Sequence, residues 1–190
     1  MAGKRVLNAL LSVYDKTGIG EFAKGLHELG WHIYSSGGTA EAVRKAGVPV
    51  TDVSELVGGG AILGHRVVTL SREVHSGLLA DLNSEADLAE LKTLGTPVID
   101  LVAVDMYPLE EEINNPSSTE ESVREKTDIG GPTMLRAAAK GQRIVLSVQE
   151  QRAEVLAWLK AGMPDEAAFR AKLAARAEYE CARYILLSAL

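Results

Sequence analysis

Short apolar runs alternate with amphipathic stretches along most of this chain. Val6 to Val13 is apolar, a polar turn follows at Asp15 to Gly18, and an amphipathic stretch then runs to Leu29-Gly30, which predicts strand, loop and helix. The pattern recurs with a strand at Trp31 to Tyr34, a small-residue turn at Ser35 to Thr39, and a helix over Ala40 to Ala46 that Gly47-Val48-Pro49 stops. Further strands are predicted near Val50 to Val53, at Arg66 to Leu70, at Val98 to Val104 and at Ile144 to Val148. Helices are predicted from about Asp87 to Leu94, closed by Gly95, and from about Pro132 to Lys140, with proline at a tolerated early position. Strands alternating with helices predict an α/β fold of three layers, a mainly parallel sheet with helices on both faces. The last 40 residues change character: a helix over Gln151 to Lys160 precedes a long Ala-rich one over Glu166 to Leu187, read as a packing or dimerisation element. Gly58 to Gly60 and Asn114 to Thr119 read as loops.

Composition narrows the picture. With 190 residues, 46% of them hydrophobic, the chain suits a single domain, 1–190, with one buried core. A net charge of −6 argues against general affinity for nucleic acid or anionic membrane, so an anionic ligand needs a local site. The single cysteine, Cys181, has no internal disulfide partner, and MAGKRVLNALLSV lacks the apolar stretch and cleavage site of a signal peptide; a cytoplasmic setting is the expectation. No apolar run approaches the roughly 20 residues that span a bilayer. His27, His32 and His65 form no metal-ligand spacing with Cys181, so no metal is expected, and His75 is given no role.

Two loops suit an anion at the carboxyl ends of strands. SVYDKTG brings Ser12, Lys16 and Thr17 to the end of the first strand, and SSGGT places Ser35, Ser36, Gly37, Gly38 and Thr39 ahead of a helix N-terminus. The glycines let backbone amides approach an oxyanion, and a phosphate monoester is the guest such a site fits. A plain turn with a helix cap uses the same residues. Neither loop matches GxxxxGK[ST] or GxGxxG, which removes support for triphosphate and dinucleotide readings. A second region, TDIGGPTMLRAAAK, places Asp128 and Gly130-Gly131 just before a helix that carries Arg136 and then Lys140, so that Asp128 and Lys140 can share a pocket if the loop folds back. Lys140 equally suits a solvated lysine at a helix C-terminus. In VDMYP, Tyr107 follows a buried strand, where its hydroxyl can enter a site or simply pack.

Together SVYDKTG, SSGGTAEAVRKAGVPVTDVSE, RVVTL, HSGLLA, IDLVAVDMYP and DIGGPTMLRAAAK resemble the IMP cyclohydrolase domain of the bifunctional purine-biosynthesis family, in order from about Lys4 to Ala175. The resemblance implies a methylglyoxal-synthase-like fold, a homodimer, and closure of formyl-AICAR to IMP with loss of water, without metal or cofactor. It also implies a separate formyltransferase, which bifunctional members carry as a following domain and which is not expected within these 190 residues. Carried over by motif, Ser12, Lys16, Ser35, Gly37, Gly38, Thr39, Arg66 and Thr69 contact phosphate, while Tyr107, Asp128 and Lys140 serve the reacting end. Three places depart from the family. RVVTLSR stands for RVKTLHP, which puts Val68 where a lysine is usual; Asp105 stands where NLYP has Asn; and GGGAILGHR replaces an acidic run. Arg72 is a candidate to restore the missing charge. An active cyclohydrolase is the leading reading, a nucleotide sensor without turnover the second, and a methylglyoxal synthase relative acting on a triose phosphate the third.

Overall fold

The computed structural model describes residues 5–63 and 66–189; His65 and the first four residues of the N-terminal stretch lie outside them. Five strands, β1 (Asn8–Val13), β2 (His32–Ser35), β3 (Thr51–Asp52), β4 (Leu101–Asp105) and β5 (Ile144–Leu146), form one sheet in the order β3-β2-β1-β4-β5 with every pair parallel. The helices are α1 (Ile19–Glu28), α2 (Gly37–Lys45), α3 (Val53–Val57), α4 (Arg72–Leu79), α5 (Glu85–Leu94), α6 (Leu109–Asn114), α7 (Glu120–Lys126), α8 (Gly130–Lys140), α9 (Gln151–Lys160) and α10 (Glu166–Ser188). β1 lies at the centre, and Ala9, Leu10, Leu11 and Val13 are buried because helices cover both of its faces. The links β1-α1-β2 and β2-α2-β3 step one way across the sheet, whereas β4-α8-β5 steps the other way. Right-handed crossovers therefore put these helices on opposite faces. α1 packs on α2 and α9, and α8 packs on α4 and α10.

Local chemistry explains several boundaries. Ser84 caps α5 by accepting from the Asp87 N–H at 3.2 Å, and Gly95 ends it at φ 72. Asp52 and Glu55 form a reciprocal capping box on α3. Gly25 on α1 faces Leu156 of α9, whose Cδ2 would lie 2.5 Å from an added Cβ, so a larger residue here requires the Leu156 side chain to shift.

One predicted strand is absent. Arg66 to Leu70 contributes a single antiparallel bridge, Ile62 with Val67, and then bends. The apolar run meets no sheet edge among the described residues. Ser71 follows at once as the cap of α4, accepting from the Val74 N–H at 3.1 Å. The helices α3, α4, α6 and α7 are additions to the predicted pattern, each eight residues or fewer.

The direction of winding reverses between β1 and β4. The loops that leave these two adjacent strands diverge, which opens a crevice at their carboxyl ends.

Candidate functional site

The SVYDKTG and SSGGT loops meet at this crevice. Lys16 lies over Gly38, whose added Cβ would sit 3.4 Å from Lys16 Cε. Its ammonium donates to the Val13 carbonyl at 2.6 Å and the Tyr14 carbonyl at 2.9 Å, and partial burial lowers its pKa. Gly37 opens α2 at φ 52, a conformation that favours glycine, and the first amides of α2 have no partner within the helix. The hydroxyls of Ser35 and Thr39 are already engaged. Ser35 Oγ donates to the Leu11 carbonyl at 2.7 Å; Thr39 Oγ1 donates to the Val13 carbonyl at 3.0 Å and accepts from its N–H at 3.2 Å. These two residues fasten α2 to the tip of β1, beside Lys16 and the backbone amides of Gly37 and Gly38. Ser12 lies beside Val104 near the same strand tip, and Thr17 is exposed, its N–H donating to Asp15 Oδ1 at 2.8 Å.

Asp105, at the tip of β4, is paired with Arg152 from the first turn of α9. Arg152 also donates to the Thr17 carbonyl at 2.6 Å and the Asp15 carbonyl at 3.4 Å, so one guanidinium ties the Lys16 loop to β4. Burial raises the Asp105 pKa, and Arg152 opposes that shift. The carboxylate found where the family has Asn thus has a counter-ion that sequence reading did not identify. A cation in the first turn of a helix opposes the helix dipole, and that anomaly was the available signal.

A second cluster forms at the start of α8. Asp128 accepts from the Gly131 N–H at 2.9 Å; burial raises its pKa, and the neighbouring backbone amides of Gly131, Tyr107 and Gly130 oppose that shift. A Cβ on Gly131 would lie 2.3 Å from Asp128 Oδ2 and 3.2 Å from Val104 Cγ1, so only glycine lets the carboxylate sit there. Thr69 Oγ1 would lie 3.0 Å from a Cβ on Gly130, which brings Thr69 into the cluster. Tyr184 of α10 completes it: its hydroxyl accepts from the Asp128 N–H at 2.8 Å and donates to the Lys126 carbonyl at 3.2 Å. Tyr184 was not singled out from the alanine-rich α10. The tip of β4 joins the two clusters, because Tyr107 stands edge-on to Tyr14 with ring centres 5.3 Å apart.

Beside them opens a cleft of about 840 Å³ lined by Lys16, Asp105, Tyr107, Ser147, Tyr184 and Arg183, among others. Some expected residues lie elsewhere. The carboxylate of Asp128 holds the N-terminus of α8, so the helix runs straight on from it rather than folding back. Lys140 is exposed at the far end, about 15 Å from Gly130 at 1.5 Å per residue. The expected convergence of Asp128 and Lys140 is therefore not met within one chain. Arg66 binds Glu125 of α7 through both carboxylate oxygens, at 2.7 and 2.6 Å, on the surface. Val68 packs against the core, and Arg72 lies 3.9 Å from Glu73 and lines a groove between α4 and α5. Among the described residues no group of three or more His, Cys, Asp or Glu is placed to hold a metal, and no helix is long and apolar enough to cross a membrane.

A family model described as an MGS-like domain matches residues 18–133. The bifunctional purine biosynthesis protein PurH of Staphylococcus carnosus (strain TM300) is 48% identical over 139 residues, 73% of this chain and 28% of that protein. PurH of Chloroflexus aurantiacus is 45% identical over 184 residues, 95% of this chain and 36% of that protein. The chain thus spans about a third of the length of these curated relatives. A solved structure described as the crystal structure of ForH superposes with a TM-score of 0.80 at 35% identity and covers 98% of each chain. The all-parallel sheet, its helices and these matches place the chain in the MGS-like domain family, as a homologue of the corresponding domain of PurH.

Proposed function

We propose that the chain is an IMP cyclohydrolase acting in purine biosynthesis, closing the ring of formyl-AICAR to give IMP and water. The observation that carries this reading is the tip of β4, where Lys16 and the start of α2, read as a phosphate grip, lie near Tyr107 and a half-buried Asp128. In the reaction the carboxamide nitrogen attacks the formyl carbon of the same molecule, and the resulting hydroxyl leaves as water. Holding the phosphate at one end and the two reacting arms against each other supplies most of what such an intramolecular step needs. Asp128 takes the amide proton, a task suited to a carboxylate whose pKa burial has raised, and Tyr107 donates a hydrogen bond to the formyl oxygen as charge develops there. Phosphate contacts are assigned to Ser12, Lys16, Thr17, Ser36 and the amides of Gly37 and Gly38, with Ser35 and Thr39 holding those amides in place. Thr69 and Gly130-Gly131 shape the wall near Asp128. In this reading the enzyme needs no metal or cofactor, works in the cytoplasm as a homodimer, and receives its substrate from a formyltransferase. Lys140 enters the chemistry only across an interface between two copies.

A second reading is a sensor that binds the nucleotide without turning it over. It draws on Val68 packed against the core, Arg66 occupied by Glu125, and the remoteness of Lys140. Mixing purified protein with formyl-AICAR and following IMP formation by ultraviolet absorbance separates the two. Turnover abolished by Asp128→Asn is expected; no turnover alongside tight IMP binding overturns the enzyme reading.

A further inference from the structure

The side chain of Asp105 is 17% exposed and that of Arg152 only 6%, so the pair is an internal one that opens to the cleft on its Asp105 side. Arg152 takes Asp105 Oδ2. The other oxygen, Oδ1, makes no hydrogen bond to the described residues, and it belongs to a residue that lines the cleft next to Lys16 and Tyr107. Arg152 is always protonated and is held in turn by the Thr17 and Asp15 carbonyls, so it cannot swing away and release the carboxylate. An asparagine at this position offers a ligand either its carbonyl or its NH₂ by rotating the amide, whereas a carboxylate locked in an ion pair only accepts.

We infer that Asp105, fixed by Arg152, is a specificity-determining residue that selects ligands presenting an N–H donor at the base end and disfavours those presenting a carbonyl there. The inference rests on the purine-ribotide reading of this cleft and deepens it. An open imidazole ribotide, with its amine and carboxamide, brings several N–H groups to the tip of β4. Its closed hydroxypurine counterpart brings a carbonyl and one ring N–H. A carboxylate lining the cleft beside Tyr107 therefore favours the open form and helps the closed one to leave. The geometry also explains why the acidic residue is tolerated next to a phosphate grip: Arg152 supplies the compensating charge from behind, while Lys16 stays with the anion.

The test is a pair of binding titrations with the full chain, using AICAR as the open ribotide and IMP as the closed one. Wild type is expected to prefer AICAR by about tenfold or more, the size of a hydrogen bond to a charged group. Asp105→Asn combined with Arg152→Gln removes both charges and is expected to erase or reverse that preference, with a cooperative thermal transition showing that the variant is folded. Asp105→Glu provides a second variant that keeps the charge; it is expected to keep the sign of the preference. A preference for AICAR that persists undiminished in the double variant overturns the inference and leaves the purine-ribotide reading standing. Binding of neither nucleotide by wild type overturns both.

Discussion

Replacing Arg152 by Met tests whether the link between the Lys16 loop and β4 is electrostatic. Met fills much of the volume but leaves the Asp105 carboxylate without its counter-ion and the Thr17 carbonyl without its donor. Breaking one partner out of a buried pair costs about 3–5 kcal/mol. Asp105 keeps some access to water at the cleft, which places the expected loss near the lower end, about 3 kcal/mol. For a domain of this size that corresponds to a fall in Tm of roughly 6–12 °C, read by circular dichroism. The loss carries a pH signature. Without Arg152, burial raises the Asp105 pKa further, so the folded state holds that proton more tightly than the unfolded one. The penalty is absent below the unfolded carboxyl pKa of about 3.9 and grows as pH rises through the folded value. The Tm gap to wild type should therefore narrow from pH 7 to pH 5, and Asp105→Asn in the Arg152→Met background should recover much of the lost stability at pH 7. A gap independent of pH, with strictly additive single and double variants, would refute the electrostatic account and leave packing as the reason Arg152 is buried.

Three further outcomes are expected. Lys16→Ala should weaken nucleotide monophosphate binding about tenfold or more in a calorimetric titration with little change in Tm, because it removes the cation of the grip but no core contact. The acid limb of the turnover profile should lie above the ordinary carboxyl range of about 3.9, since Asp128 must be ionised to accept a proton and burial raises its pKa; Asp128→Asn should abolish turnover without lowering Tm at pH 7, where the buried charge is an expense to folding. Tyr184→Phe should cost about 1–2 kcal/mol by denaturant titration and lower turnover more than substrate affinity, because the Asp128 N–H and the Lys126 carbonyl both lose a partner.

The strands, α5, α9 and α10 were legible because each carries a periodic apolar pattern and a recognisable stop, such as Gly95 after α5. Arg66 to Leu70 misled because strand propensity describes a residue run, while pairing depends on an available edge. The two loops at the strand ends were legible from residue type as parts of the candidate site, whereas the engagement of the Ser35 and Thr39 hydroxyls by backbone was not: they differ from Ser36 only in what tertiary packing sets against them. Proximity in sequence overstated Lys140, because twelve residues bring groups together in a folded-back loop and carry them apart along a helix. Arg152 and Tyr184 belong to the site through contacts of 47 and 56 residues' separation, and no local pattern encodes those.

The two hydroxyls that fasten α2 to β1 also have a thermodynamic consequence. Ser35 and Thr39 hold the amides of Gly37 and Gly38 at fixed positions before any ligand arrives, although these glycines would otherwise have wide conformational freedom. The entropy of ordering the loop is thereby lost once, during folding, and does not recur at each encounter with an anion. In the phosphate-binding reading proposed above, affinity then depends less on attractive charge than on a receptor whose shape is settled in advance.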